Sequence, residues 1–347
     1  MDESKSSFDS TVIWSGEDPG AIAYAESVSI SGSWGLQALG IESAHRRGES
    51  KAPAPELDDF EFVAYLGSGG FSDVYLYEEQ LPKRMVAIKV LSTRSLENFG
   101  TSSQFRGEVD LMAQVSGHPS VVSIFDANIA ASGQPYLVMQ YCPLPSLAER
   151  IAADECTWEE TLRLGVQISA AAHSAHLMGI AHYDIKPSNI LYSAFNRPLL
   201  SDFGIASLVG ATAKEVLGAS LPWAAPEVLR GSGAAPVADI YSLGATVYTA
   251  CTGHEPLPIV TGMTRREYIH KVLSGGVARL ADCEDFAVPA GVSDTAATAL
   301  CDAVDQAMQP DPRNRTESAA EFARALQRVQ AAMGLPVTEL EIPQTSE

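Results

Sequence analysis

The sequence predicts an α+β chain of two unequal lobes, a small β-rich one holding a single helix and then a larger, mainly helical one. Three observations carry this expectation. Between 60 and 141, five short runs (60–66, 73–78, 85–91, 121–128 and 136–141) are rich in β-branched and aromatic residues, and one helical stretch, 103–115, separates the third from the fourth. After Pro145 the apolar spacing becomes helical, with Leu164, Ile168, Ala171 and Ala175 along one face of a helix over 161–178. The flanks hold no apolar period of either kind.

The elements follow in order. Residues 1–58 are rich in Ser and Gly, hold ten acidic and four basic side chains and close on Lys51-Ala52-Pro53-Ala54-Pro55-Glu56, so they read as a disordered tail. Its aromatics, Phe8, Trp14, Tyr24 and Trp34, leave open a docking motif for a partner chain or a homodimer. The folded body spans 59–333, with the β-rich lobe over 59–140 and the helical lobe over 143–333. In the second lobe further helices are predicted near 236–252, 265–274, 294–309 and 317–333, with Asp311-Pro312 and Gly334 as boundaries. The segment 334–347 adds three acids and two prolines and is expected to be disordered.

Composition excludes several classes. The 347 residues carry 23 Lys+Arg against 43 Asp+Glu, a formal net charge of −20, which argues against a nucleic-acid partner because a phosphate backbone requires clustered cations. The five cysteines, Cys142, Cys156, Cys251, Cys283 and Cys301, form no CxxC pair, so neither a disulfide framework nor a zinc ribbon is expected and a reducing cytoplasm fits. The start, Met1-Asp2-Glu3-Ser4-Lys5-Ser6, is acidic where a signal peptide would be basic, and the longest apolar candidate, 240–251, is too short for a bilayer that needs about 20 residues.

Four features carry chemistry. Leu66-Gly67-Ser68-Gly69-Gly70-Phe71-Ser72-Asp73-Val74 lies between two β runs, and a loop with so few β-carbons lets backbone N–H groups approach phosphate oxygens. Alone, such a string is more often a plain hairpin turn. Val86-Ala87-Ile88-Lys89-Val90 places one lysine in an apolar strand, pointing opposite to Ile88 and Val90 into a cleft where it needs an anion. Glu108 and Asp110 on the intervening helix are the candidates, and the apolar neighbours Phe105 and Met112 favour Glu108. Finally, Ala181-His182-Tyr183-Asp184-Ile185-Lys186-Pro187-Ser188-Asn189-Ile190-Leu191 and Leu199-Leu200-Ser201-Asp202-Phe203-Gly204 set two carboxylates and a carboxamide among apolar residues, hard oxygen donors of the kind Mg²⁺ takes. Asx-turn chemistry is the bland alternative for such a string.

Together these strings resemble the serine/threonine protein kinases of the bacterial eukaryotic-like (Hanks-type) family, from about Phe60 to Ala332. The resemblance implies the bilobal protein-kinase fold and a non-specific serine/threonine protein kinase that uses ATP and Mg²⁺ on Ser/Thr acceptors of protein substrates. It implies that Leu66, Gly67, Ser68, Gly69, Gly70, Phe71 and Val74 cover the nucleotide, and that Lys89 holds the α/β-phosphates and pairs with Glu108. Asp184 would be the catalytic base and Lys186 would neutralise the transferred phosphoryl group, while Asn189 and Asp202 would hold the metal. Met139, Gln140 and Cys142 match the hinge that reads adenine, with Met139 as gatekeeper, and Val74, Ala87 and Leu191 would sandwich the purine. In the same way Ser220-Leu221-Pro222-Trp223 resembles the peptide-docking end of the activation segment, Glu227 would pair with Arg315, and Asp239 would anchor the catalytic loop.

Three positions depart from the pattern. Ser72 replaces the third loop glycine, Gln140 stands at a position that is often acidic, and Tyr183 stands where many relatives carry Arg. Without that guanidinium, a phosphate on the activation segment, where only Ser207 and Thr212 lie between 205 and 219, lacks its bidentate partner. Two other readings compete: a pseudokinase that binds nucleotide and partners without turnover, and a small-molecule phosphotransferase. The complete set Lys89, Glu108, Asp184, Asn189 and Asp202 speaks against the first, and the docking segment at 221–227 against the second.

Overall fold

The computed structural model describes residues 54–68, 72–91, 102–203, 220–231 and 235–343, with the backbone alone of 11–13, 23–25 and 102–108. The first lobe is a five-stranded antiparallel sheet. After a short pair, β1 (Thr11–Ile13) and β2 (Ala23–Ala25), come β3 (Phe60–Ser68), β4 (Ser72–Gln80), β5 (Lys83–Leu91), helix α1 (Ser102–Val115), β6 (Ile124–Ile129) and β7 (Pro135–Gln140). The spatial order is β3-β4-β5-β7-β6.

Alternation along β5 divides the sheet into two faces. Val86, Ile88 and Val90 join Tyr75, Tyr77, Tyr136 and Val138 on one face. Ala87 joins Ala64, Leu66 and Leu76 on the other, with Val74 beside them. Register sets Lys89 directly opposite Val74 on β4 and Leu137 on β7, so the lysine rises from the second face, opposite to Ile88 and Val90 as predicted.

The second lobe begins with α2 (Leu147–Ala152) and α3 (Trp158–Leu177), each opened by a capping box, Ser146 with Glu149 and Thr157 with Glu160. The hairpin β8 (Ile190–Tyr192) and β9 (Pro198–Leu200) follows, then α4 (Pro226–Leu229), α5 (Pro236–Thr252), α6 (Arg265–Leu273), α7 (Asp294–Ala307) and α8 (Ala319–Ala332). Helix α5 is buried continuously over 238–250, as an apolar helix at the centre of a lobe must be, and α3, α7 and α8 pack around it.

Four expectations are revised. The strand predicted over 121–128 begins at Ile124, because the backbone before it is taken by the second lobe: Leu200 N–H donates to the Ser120 carbonyl at 2.9 Å and Val122 N–H to that of Leu200 at 3.0 Å. Residues 54–58, assigned above to the tail, belong to the first lobe, with Ala54 and Leu57 packed on its outer face and Tyr77 Oη donating to the Pro55 carbonyl at 2.6 Å. The segment 11–25, also assigned to the disordered tail, contains the β1 and β2 pair. The segment 334–343, expected to be disordered, packs instead: Leu335 and Leu340 lie against the helical core, Thr338 N–H donates to Gln330 Oε1 at 2.9 Å, and Glu341 pairs with Arg197. Its two leucines bury apolar surface that no period of 2 or 3.6 announced. The tail aromatics other than Tyr24, whose backbone lies in β2, fall outside the described residues, as do 344–347.

Candidate active site

The cleft between the lobes gathers Lys89, Asp184, Lys186, Asn189 and Asp202, residues separated by up to 113 positions in the chain. Strand β5 delivers Lys89 from above. From below, the segment between α3 and β8 delivers Asp184 to Asn189, and the turn after β9 delivers Asp202.

The loop that carries Asp184 is held by a buried carboxylate. Asp239, fully buried on α5, accepts the N–H of His182 at 2.7 Å on Oδ2 and that of Tyr183 at 2.8 Å on Oδ1, and Oδ2 also meets His176 Nε2 at 2.8 Å. Tyr183 sits at φ +65°, a left-handed backbone that costs a non-glycine residue about 1–3 kcal/mol. The two N–H bonds to one carboxylate are what fix it. His182 continues the frame: its Nε2 lies 2.6 Å from the Ser201 carbonyl, its Nδ1 accepts the Asp184 N–H at 3.2 Å, and its ring stands edge-on to Phe203 at 4.5 Å.

Asp184 is enclosed by donors. Its Oδ2 meets Lys186 Nζ at 3.0 Å and Asn189 Nδ2 at 2.9 Å, and its Oδ1 accepts the hydroxyl of Ser220, which in turn accepts from Lys186 Nζ at 2.8 Å. A serine hydroxyl thus already donates to one oxygen of the Asp184 carboxylate while the Lys186 ammonium lies on the other oxygen and donates to that hydroxyl. Sequence reading placed Ser220 in the docking segment and did not foresee this bridge. Nothing in local spacing signals a contact across 36 residues.

Lys89, 8% exposed at its side chain, meets Asp202 Oδ1 at 2.8 Å. Burial pushes the Asp202 carboxyl up, but the adjacent Lys89 ammonium, by charge and hydrogen bond, together with His182 and Lys186 holds the group below the usual carboxylate range. The anion expected for Lys89 was Glu108, whose side chain lies outside the described residues; Asp110, the other candidate, is exposed. Asp202 shares with Tyr183 a left-handed backbone, at φ +67°.

The donor set fits a hard cation. Asn189 commits its amide protons to the carbonyl (2.8 Å) and carboxylate of Asp184, which reserves its carboxamide oxygen, and Lys89 engages one oxygen of Asp202. Above them, Leu66, Gly67 and Ser68 end β3 with Gly67 opposite Val74, while Gly69, Gly70 and Phe71 lie outside the described residues. At the back, Met139 walls a small cavity with Met112, Val122 and Phe203, and Leu191 packs beside Met139 and Cys142. Gln140 spends its N–H on the Ser123 carbonyl at 2.9 Å, so that donor is not open to the cleft. Burial pushes the Cys142 thiol up to about 12.

Farther out, Glu227 and Arg315 form the expected ion pair, Nη1 to Oε1 at 2.7 Å and Nη2 to Oε2 at 3.0 Å. The guanidinium also donates to the carbonyls of Val237 and Gln309, a buried charge with its donors spent.

Comparison with known proteins agrees with this geometry. The family model "Protein kinase domain" matches residues 60–326. The serine/threonine-protein kinase PknK of Mycobacterium tuberculosis (strain ATCC 25618 / H37Rv) is 36% identical over 295 residues, covering 84% of this chain and 25% of PknK. PknJ of the same strain is 33% identical over 267 residues, covering 75% of this chain and 43% of PknJ. PknB of Mycobacterium leprae (strain TN) is 30% identical over 284 residues, covering 79% and 44%. The chain thus spans a quarter to less than half of these relatives' lengths. Among solved structures, the Mycobacterium tuberculosis PknI kinase domain superposes with a TM-score of 0.56 at 23% identity over 80% of this chain and 99% of that one, a likeness of fold.

Proposed function

This chain belongs to the protein kinase domain family, in its bacterial Hanks-type serine/threonine branch, and from that premise we propose that it transfers the γ-phosphoryl group of ATP to Ser and Thr hydroxyls of proteins. The observation that carries the reading is the Asp184 carboxylate, held by Lys186 and Asn189 and already accepting a serine hydroxyl.

Each residue has a physical task. Asp184 orients the acceptor hydroxyl and takes its proton. Lys186, 3.0 Å from that carboxylate, sets a positive charge where the transferred group must pass. Lys89 supplies a second cation on the sheet side of the cleft. Asn189 and Asp202 offer the oxygens that would hold Mg²⁺, and bound Mg-ATP would supply the electrophilic phosphorus with its charge neutralised. The Gly67 loop, the Gln140 carbonyl, Cys142 and the apolar faces of Val74, Ala87 and Leu191 would seat the nucleotide. Catalysis is positioning and electrostatics, with no covalent intermediate on the enzyme.

Tyr183 in place of an arginine supports activity that does not depend on a phosphorylated activation segment; phosphatase treatment should leave turnover within about twofold, and collapse of turnover counts against it. The five cysteines form no CxxC pair in the sequence, which supports a reducing, cytoplasmic setting. No helix among the described residues is long and apolar enough to cross a membrane.

Labelled ATP, the purified chain and a generic basic protein test the proposal. Transfer should fall by about 10²–10⁴ in Asp184→Asn with ATP binding retained. ATP binding with no transfer by the unsubstituted chain would instead favour the pseudokinase reading.

A further inference from the structure

Far from the cleft residues in the chain, His254, Cys283 and Asp285 bring three ligand atoms within 4.8 Å of one another. His254 Nε2 lies 3.0 Å from Asp285 Oδ2 and 3.5 Å from Cys283 Sγ. Among the described residues no other group of three or more His, Cys, Asp or Glu converges this closely.

The imidazole is oriented by its other nitrogen. Nδ1 lies 3.0 Å from the Glu255 carbonyl oxygen, which only accepts, so Nδ1 carries a proton and Nε2 is the ring nitrogen turned toward the thiol and the carboxylate. Nε2 and the carboxylate oxygen, 3.0 Å apart, share a cation. A proton could serve the nitrogen and the carboxylate, but a sulfur as the third member points to a metal.

Two of the three separations match one, and the third, from Cys283 Sγ to the Asp285 carboxylate, lies within 4.8 Å. With Zn–N and Zn–O near 2.1 Å and Zn–S near 2.3 Å, a tetrahedral ion sets N and O about 3.4 Å apart and N and S about 3.6 Å apart. The observed 3.0 and 3.5 Å lie within a few tenths of an ångström of both.

The scaffold is built before any ion arrives. His254 follows Gly253, whose φ of +83° closes α5. Cys283 donates its N–H to the Leu280 carbonyl at 3.2 Å, and Leu280 donates its own to Asp305 at 3.0 Å. Phe286 stacks on Trp158 at 5.2 Å. The Tyr248 ring stands edge-on to His254. Asp285, 69% exposed, leaves the fourth position to water.

We propose that His254 Nε2, Cys283 Sγ and the Asp285 carboxylate bind one Zn²⁺ ion that pins the loop after α5 to the loop 283–286. Imidazole and thiolate select a borderline-soft cation over Mg²⁺, and binding releases the Cys283 proton to solvent.

Zn²⁺ titrated into the full purified chain against a chromophoric chelator should bind at one equivalent, and Co²⁺ in its place should give thiolate-to-metal charge transfer. Cys283→Ser and His254→Gln should each weaken binding about 10- to 100-fold, Cys283→Ser should abolish the charge-transfer band, and both metal-free variants should keep the helical circular dichroism of the unsubstituted chain. At zinc concentrations that saturate only the unsubstituted chain, melting temperature should rise in that chain and not in the variants. Absence of stoichiometric zinc, a cobalt spectrum without a thiolate band, or equal binding by both variants overturns the proposal.

Discussion

Asp239 is a fully buried carboxylate far along the chain from the cleft residues, yet the loop that carries Asp184 depends on it. It fixes Tyr183 in a left-handed conformation and through it the direction of Asp184. Asp239→Ala would strand two backbone N–H groups and leave His176 without its anion. Losing one partner of a buried charged network costs about 3–5 kcal/mol, so urea unfolding should shift by that order and transfer should fall with it. Cys142 shows the opposite case, a buried group with no chemistry: 7% exposed and with its thiol pushed up to about 12, it should resist iodoacetamide at pH 8 in the native chain and react after unfolding, as read by mass spectrometry.

Helix packing places the loop segments that these residues occupy. Gly244 on α5 lets α7 approach closely: a β-carbon there would stand 2.8 Å from Met308 Cγ and 3.0 Å from Ala307 Cβ. The alanine methyl cannot rotate away, so Gly244→Ala should lose more by overpacking, about 1–3 kcal/mol, than the near 1 kcal/mol that helix propensity returns. A net destabilisation in chemical denaturation is expected, and a stabilised variant would show that the two helices can separate at no cost. Long helices were legible in advance. The prediction over 236–252 matches Pro236–Thr252 because both ends carry signals, proline at the start and glycine after the end. Helix α2 was missed because six residues show no period, although Ser146 and Glu149 at capping-box spacing mark it.

The C-terminal segment ties the molecule together across the chain. His118, just beyond α1, accepts the Ser120 N–H on Nδ1 at 3.0 Å and meets the Glu341 carbonyl with Nε2 at 2.7 Å, while Arg197 on the β8 to β9 turn pairs with the Glu341 carboxylate. Burial pushes the His118 imidazole below its ordinary 6.5, with the Glu341 carbonyl drawing it partly back. The fold therefore favours neutral His118: its contribution is complete above pH 6.5 and is lost as pH falls below that value. Between pH 7 and pH 5 the unsubstituted chain should lose more melting temperature than His118→Asn does, and equal losses would remove His118 from the account. Truncation after Gly334 should lower the melting temperature at both pH values.

The sequence by itself determined the lobes and the long helices and singled out Lys89, Asp184, Lys186, Asn189 and Asp202 as candidates, because local periodicity and short strings encode them. Tertiary structure alone decided that Lys89 meets Asp202 across 113 residues, that Ser220 bridges Asp184 and Lys186, that residues 334–343 are packed, and that His254, Cys283 and Asp285 converge. Each of these is a contact between segments with no shared period or motif. Such contacts form when the packed helices and the sheet fix where their connecting loops can lie.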